Sequence, residues 1–313
     1  MKTHARYLGI AVLAALLVCS AGCKLFKNMG GGGGAVESDK AVDTMSVYAK
    51  AYNALIKGPD ECIDEYLGAI PDSGPDFTKK TNLFPRQNFA VNDIKTAKDS
   101  VAEAKAMAPS SLAHLGPFAD QCVADAEKVV NTFDEAYKYY NAETYKDDAG
   151  KKGKELHEQM MAAVKSFDAS IKKFDEELLK IEDQQDVSEL KKYEGDKDYS
   201  YWYRFYTMTA KKMSRLVDDH PKYLEEYKNL ETVNTQLAAF AKGKGAGLNS
   251  VFKTYVSTAD EFMATATKLN RAIKETPDSQ EADNLKDELI ARYNNLISMS
   301  DSLSSLESSG MLK

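Results

Sequence analysis

Residues 118–140 read FADQCVADAEKVVNTFDEAYKYY and residues 156–181 read LHEQMMAAVKSFDASIKKFDEELLKI, and these two runs decide the fold. In the first, Phe118, Cys122, Ala126, Val129, Phe133, Tyr137 and Tyr140 recur at intervals of three and four. Leu156, Met160, Val164, Phe167, Ile171, Phe174, Leu178 and Ile181 do the same in the second. That period lines one face of a helix. No proline lies between Pro117 and Pro221, while Gly150 and Gly153 interrupt the pattern between the runs. The spacing predicts two helices of about 25 to 35 residues, roughly 40 to 50 Å each, meeting at a turn near Gly150. So short a connection makes them antiparallel neighbours.

The same period extends outward in both directions. Upstream, Val42, Met45, Tyr48, Tyr52 and Leu55 form a stripe that Gly58-Pro59 is expected to end. A short helix around Cys62 to Ile70 follows, then a loop from Pro71 to Arg86 and a polar helix from Val91 to Met107, stopped by Pro109. Downstream, Gly195 closes the central hairpin and a third long element begins at Tyr201. Pro221 breaks that element, and Tyr223 to Phe240 continue the period up to a Gly/Lys loop, Lys242 to Gly247. Phe252 to Ile273 precede Thr276-Pro277. Asp278 with Glu281 resembles a capping box opening the last stripe, Leu285 to Leu306. Alternating strand patterns bounded by hairpin turns are missing. The reading is all-α: an elongated bundle of long antiparallel helices over 38–313, with a candidate subdivision near 195–200.

At the amino end, Lys2, His4 and Arg6 precede the apolar run Tyr7 to Val18, and Ser20-Ala21-Gly22-Cys23 is a small-residue cleavage site. The run is too short for a comfortable bilayer span. It resembles a bacterial lipobox, with Ser20 where the pattern prefers an aliphatic residue. This implies a signal peptide over 1–22, lipid on the Cys23 thiol, palmitate-type acylation and attachment to the bacterial cell membrane facing the periplasm. Lys24, in place of an aspartate that retains many such proteins in the inner membrane, tilts the expectation toward the outer membrane. Residues 23–37, with Gly30 to Gly34 in a row, read as a tether. A Gly-rich chain of about 15 residues has a root-mean-square reach of roughly 20 Å.

The chain of 313 residues carries a formal charge of -7, and loss of residues 1–22 removes Lys2 and Arg6 but no acid. Bases interleaved with more numerous acids argue against a nucleic-acid partner. Cys19 leaves with the signal peptide and lipid consumes Cys23. Cys62 and Cys122 remain, either as a disulfide contributing roughly 4 kcal/mol or as two small buried hydrophobes.

One segment carries a family resemblance. Tyr139-Tyr140-Asn141, Tyr145-Lys146-Asp147-Asp148 and Gly153-Lys154-Glu155-Leu156-His157, with the lipobox and the helical C-terminal half, resemble the YiiG-like family of bacterial lipoproteins, whose function is not established. The resemblance covers about 38–308. It implies an all-helical envelope lipoprotein and no catalytic assignment. Read physically, the segment is a helix corner: Asp147 and Asp148 cap, glycine turns the chain, Tyr140 and Tyr145 pack the bend and His157 bonds a neighbour. Its sharper reading is a small-ligand or metal pocket built from Asp147, Asp148 and His157.

Catalytic signatures are missing elsewhere. His157-Glu158 is followed by Met161 where a zinc protease needs a second histidine, and Gly-x-His-x-x-Glu and Gly-x-Ser-x-Gly are both absent. Glu176-Glu177 and Asp218-Asp219 are adjacent pairs that diverge on a helix. Eleven scattered methionines do not make a copper site. Tyr199-Ser200-Tyr201-Trp202-Tyr203-Arg204-Phe205-Tyr206 is the densest aromatic run, with Trp202, Tyr203 and Tyr206 as contacts for a glycan or partner if not for a second helix. The sequence thus points to a non-enzymatic envelope lipoprotein without cofactor or metal, acting in protein interaction or structural support. The alternative is a lipoprotein that binds a small molecule or cell-wall glycan.

Overall fold

The computed structural model describes residues 34–70 and 76–312. Cys23 and most of the stretch read as tether lie outside the described residues. Helix takes 84% of the described residues, and no strand occurs among them. Eight α-helices follow in order: α1 Gly34–Ala69, α2 Gln87–Met107, α3 Leu115–Asn141, α4 Lys151–Lys191, α5 Tyr199–Ser214, α6 His220–Lys244, α7 Ser250–Glu275 and α8 Gln280–Ser308. They form two compact units, from the described residues of Gly30–Ile181 and of Glu182–Lys313. The division falls inside α4, upstream of residues 195–200.

In the first unit α1 to α4 run up, down, up, down. The register is set by paired contacts: Glu65 reaches Arg86 while Gly58 abuts Asp93, Lys105 pairs Asp120 while Lys98 pairs Glu127, and Tyr48 meets Phe174 while Tyr66 meets His157. Each set advances on one helix as it retreats on the other, so each pair is antiparallel. The core is Tyr48, Tyr52, Leu55, Phe133, Phe167 and Phe174, all fully buried.

Three expectations about boundaries are corrected. Helix α1 does not stop at Gly58-Pro59 but carries Pro59 inside it, joining the predicted Cys62–Ile70 helix to the first stripe. Pro59 removes one helical hydrogen bond, and a side chain at the preceding residue would clash with its ring. Gly58 has no side chain, and the space is already taken: a Cβ there would lie 2.9 Å from Ala90 Cα. Burial on both sides of Pro59, at Leu55 and Cys62, outweighs the local cost. Helix α4, at 41 residues, exceeds the expected length because it begins at Lys151, with Gly153 in its first turn, and runs past the end of the apolar stripe at Ile181 to Lys191. The N-cap of α8 is Ser279, one residue beyond Asp278, and it accepts a bond from the Ala282 amide at 3.1 Å.

The second unit repeats the topology with α5 to α8. Lys212 pairs Glu226 across α5 and α6, Phe240 meets Phe252 while Tyr223 reaches Ala266 across α6 and α7, and Phe262 meets Tyr293 across α7 and α8. Helix starts follow their capping side chains: Asp198 for α5, Asp219 with Pro221 in the first turn for α6, and Asn249 for α7. The core is tied by tyrosine hydroxyls that donate to backbone carbonyls of a facing helix. Tyr206 donates to Ala259 at 2.8 Å, Tyr223 to Ala266 at 3.1 Å and Tyr255 to Tyr203 at 2.8 Å. A helical carbonyl has a second lone pair, so it accepts these bonds without losing its own.

Candidate functional site

The corner between α3 and α4 brings Asp148 to its centre. Its carboxylate accepts from the Tyr139 hydroxyl at 2.8 Å, the Gly150 amide at 2.9 Å and the Lys152 amide at 2.9 Å. Partial desolvation works against the charged form, but these donors outweigh it and hold the carboxyl below its ordinary range. The backbone bends sharply to allow this, with Glu143, Ala149 and Gly150 at positive φ. At Gly150 a Cβ would lie 2.8 Å from the Phe77 carbonyl, so the residue is required both by conformation and by space.

Around this centre the aromatics pack as a brace. Tyr139 and Tyr140 meet edge to face at 5.0 Å, and Tyr140 and Tyr145 at 6.1 Å. Burial, then the nearby Asp148 charge, pushes the Tyr140 hydroxyl up to about 12. Its oxygen would be 2.8 Å from a Cβ at Gly153, which explains a glycine inside a helix. Phe77, from the loop before α2, lies against Gly150 and also covers His157 at 5.4 Å. His157 also stacks on Tyr66 at 5.9 Å, with Nδ1 3.3 Å from the tyrosine hydroxyl.

Asp147, Asp148 and His157 therefore do not converge. Asp147 is exposed, Asp148 is committed to its own turn and His157 to Tyr66 and Phe77. Among the described residues no group of three or more His, Cys, Asp or Glu side chains could hold a metal. Tyr66 and Phe77 escaped the sequence reading because they reach His157 across 91 and 80 positions of chain, where periodicity carries no information.

The aromatic run at α5 divides in two. Tyr203 and Tyr206 are buried, their hydroxyls bonded to Glu307 and Ala259, and neither offers a surface. Trp202 stays partly exposed beside Phe205 and Phe240. Between these faces Arg204 stacks on Tyr193 at 4.2 Å and Tyr203 at 4.5 Å and donates to Glu307 at 2.7 Å. Burial opposes the Glu307 charge, but Arg204 overcomes it and lowers the carboxyl. A second cluster invisible to periodicity joins the end of α4 to α5: Lys211 pairs Glu182 and Asp186 at 2.5 and 2.6 Å, while Arg215 pairs Glu182 and Asp183.

Of the two readings left open for the cysteines, the structure has the apolar one. Cys62 and Cys122 are free and buried on the inward stripes of α1 and α3. Desolvation pushes both thiols up to about 12, so they remain protonated and act as small apolar side chains.

Comparison with known proteins adds a family. The chain is similar to the uncharacterized protein YiiG of Escherichia coli (strain K12), 26% identical over 241 residues, which are 74% of this chain. The match spans 66% of that protein's own length. No solved structure matches. Residues 39–301 match the model of a protein family of unknown function, DUF3829, and the chain belongs to that family.

Proposed function

We propose that the protein is a lipid-anchored envelope protein that works through its helical surface and not through catalysis. The observation that carries the anchor is Ser20-Ala21-Gly22-Cys23 behind a short apolar run. No helix among the described residues is long and apolar enough to cross a membrane. Support for a non-catalytic role comes from how polar groups are used: the Asp148 carboxylate, the Tyr206 hydroxyl and the Lys211 ammonium all bond within the fold. The protein then faces the periplasm, with Lys24 favouring the outer membrane, and serves as a structural or protein-binding element. A binding role for a glycan is favoured by one feature, the exposed part of Trp202.

Metabolic labelling with a fatty acid tests the anchor. The wild-type protein takes up label and is cleaved before Cys23, while Cys23→Ala takes up none and accumulates as precursor. Equal labelling of the variant would remove the anchor from this account.

A further inference from the structure

Where α5 begins, α6 ends and α7 begins, ring contacts are continuous. Trp202 meets Tyr201 edge-on at 5.1 Å and Phe240 at 5.9 Å, the last two planes inclined by 35°. Phe240 in turn meets Tyr199 at 5.4 Å and Phe252 at 5.7 Å. Tyr199 and Phe252 are buried and pack on each other and on Phe240, while Trp202 and Phe240 keep part of their surface exposed.

The ammonium of Lys244 lies 4.8 Å from the Tyr199 ring centre and 5.2 Å from that of Phe240. Lys244 is exposed and forms no ion pair among the described residues. The adjoining loop is open, since a Cβ at Gly243, Gly245 or Gly247 would meet nothing within 4 Å. On the far side Lys197, at a positive φ of 42°, lies 5.5 Å from the Tyr201 ring centre. After burial, the Glu194 charge raises the Tyr201 hydroxyl, so that edge presents both signs and selects neither. At the other edge, Lys244 lies over Tyr199 and Phe240 without an ion pair among the described residues.

We propose that this end of the second bundle is a site for an anionic saccharide. The sugar ring lies on Trp202 and Phe240, and its carboxylate or phosphate meets Lys244. Two part-exposed rings and one ammonium fall far short of the roughly 800 Å² per partner of a stable protein interface. Two rings with centres 5.9 Å apart and planes inclined by 35° offer apolar contact to a single sugar ring. A ring held by aromatic faces gains from apolar contact, and a lysine against π surfaces keeps donors for an anion. The Lys/Gly loop alone is too short to specify a ligand, and the aromatic rings supply what it lacks. The proposal rests on the envelope reading only for the source of the saccharide, so failure of binding in vitro leaves the anchor untouched, and loss of the anchor leaves binding in vitro untouched.

Trp202 is the only tryptophan of the chain, so its fluorescence reports on this site alone. Full-length protein in detergent is titrated with the N-acetylmuramic acid disaccharide of peptidoglycan, glucosamine phosphate, neutral N,N′-diacetylated chitobiose and adenosine monophosphate. The proposal expects a saturable change with at least one acidic sugar, and whichever of the two binds tighter identifies a cell-wall or a lipid-headgroup source. Chitobiose binds at least about tenfold more weakly, and Lys244→Gln brings the acidic sugar down to the chitobiose level while leaving chitobiose unchanged. No saturable change with either acidic sugar, an unaltered Kd in Lys244→Gln with native circular dichroism, or tighter binding of the nucleotide would overturn it.

Discussion

At the residue scale the same side-chain type does opposite things in the two bundles. Tyr206 and Tyr48 are both fully buried, but Tyr206 donates to the Ala259 carbonyl whereas the Tyr48 hydroxyl finds no partner among the described residues. Removing a satisfied buried hydroxyl costs about 1 kcal/mol, and removing an unsatisfied one costs nothing or stabilises. Tyr206→Phe is therefore expected to lower unfolding free energy by about 1 kcal/mol and Tyr48→Phe to leave it equal or higher, in denaturant titrations. Glu307 adds a pH dependence. Its folded carboxyl lies below the unfolded value because Arg204 prevails over burial. Stability from this contact is thus complete above the unfolded carboxyl range and lost as pH falls through the folded value. Between about pH 7 and pH 3 the melting temperature of wild type should fall more steeply than that of Glu307→Gln, the two curves converging in acid. Parallel curves would contradict the assignment. None of these partners is legible in sequence, because Tyr206 and Ala259 or Arg204 and Glu307 are 53 and 103 positions apart.

At the element scale the sequence is most legible where one face is apolar and the ends are marked. The stripes from Phe118 and Leu156 became α3 and α4, and Asp198, Asp219 and Asn249 cap helices directly before their stripes. It misleads at Gly58-Pro59, where local chemistry says stop and tertiary contact says continue. The reason is the fit of α2 against Gly58, which only the folded chain displays. Alanine is the better helix former by about 1 kcal/mol, yet its Cβ has no space here. Gly58→Ala should lower stability by about 1 to 3 kcal/mol, as overpacking does, and thermal unfolding measures it. A gain in stability would show that α1 and α2 lie farther apart than described. Asp148 illustrates the opposite case. An acid just ahead of a helix reads as a cap from sequence alone, and it bonds the Lys152 amide.

At the scale of the whole molecule, each of the two units has four helices in an up-and-down course, and the division between the units falls inside the helix that runs from Lys151 to Lys191. All-α architecture follows from period and from the scarcity of proline. The point of division does not, because the polar residues 182–186 that follow Ile181 include neither glycine nor proline, and the helix runs on through them to Lys191. Function is less legible than fold. A corner rich in tyrosine, aspartate and histidine has the composition of a binding pocket, and its geometry is that of a brace in which Asp148 bonds Tyr139 and two amides of its own turn while His157 packs against Tyr66 and Phe77. Thermal unfolding of wild type and of the Asp147→Ala/Asp148→Ala/His157→Ala variant, with and without zinc, manganese, calcium and ATP, separates the two most directly. A brace predicts a lower melting temperature for the variant under every condition and no saturable ligand shift that depends on these side chains. A saturable rise with any of these ligands in wild type, lost in the variant, would contradict it and make the corner a binding site.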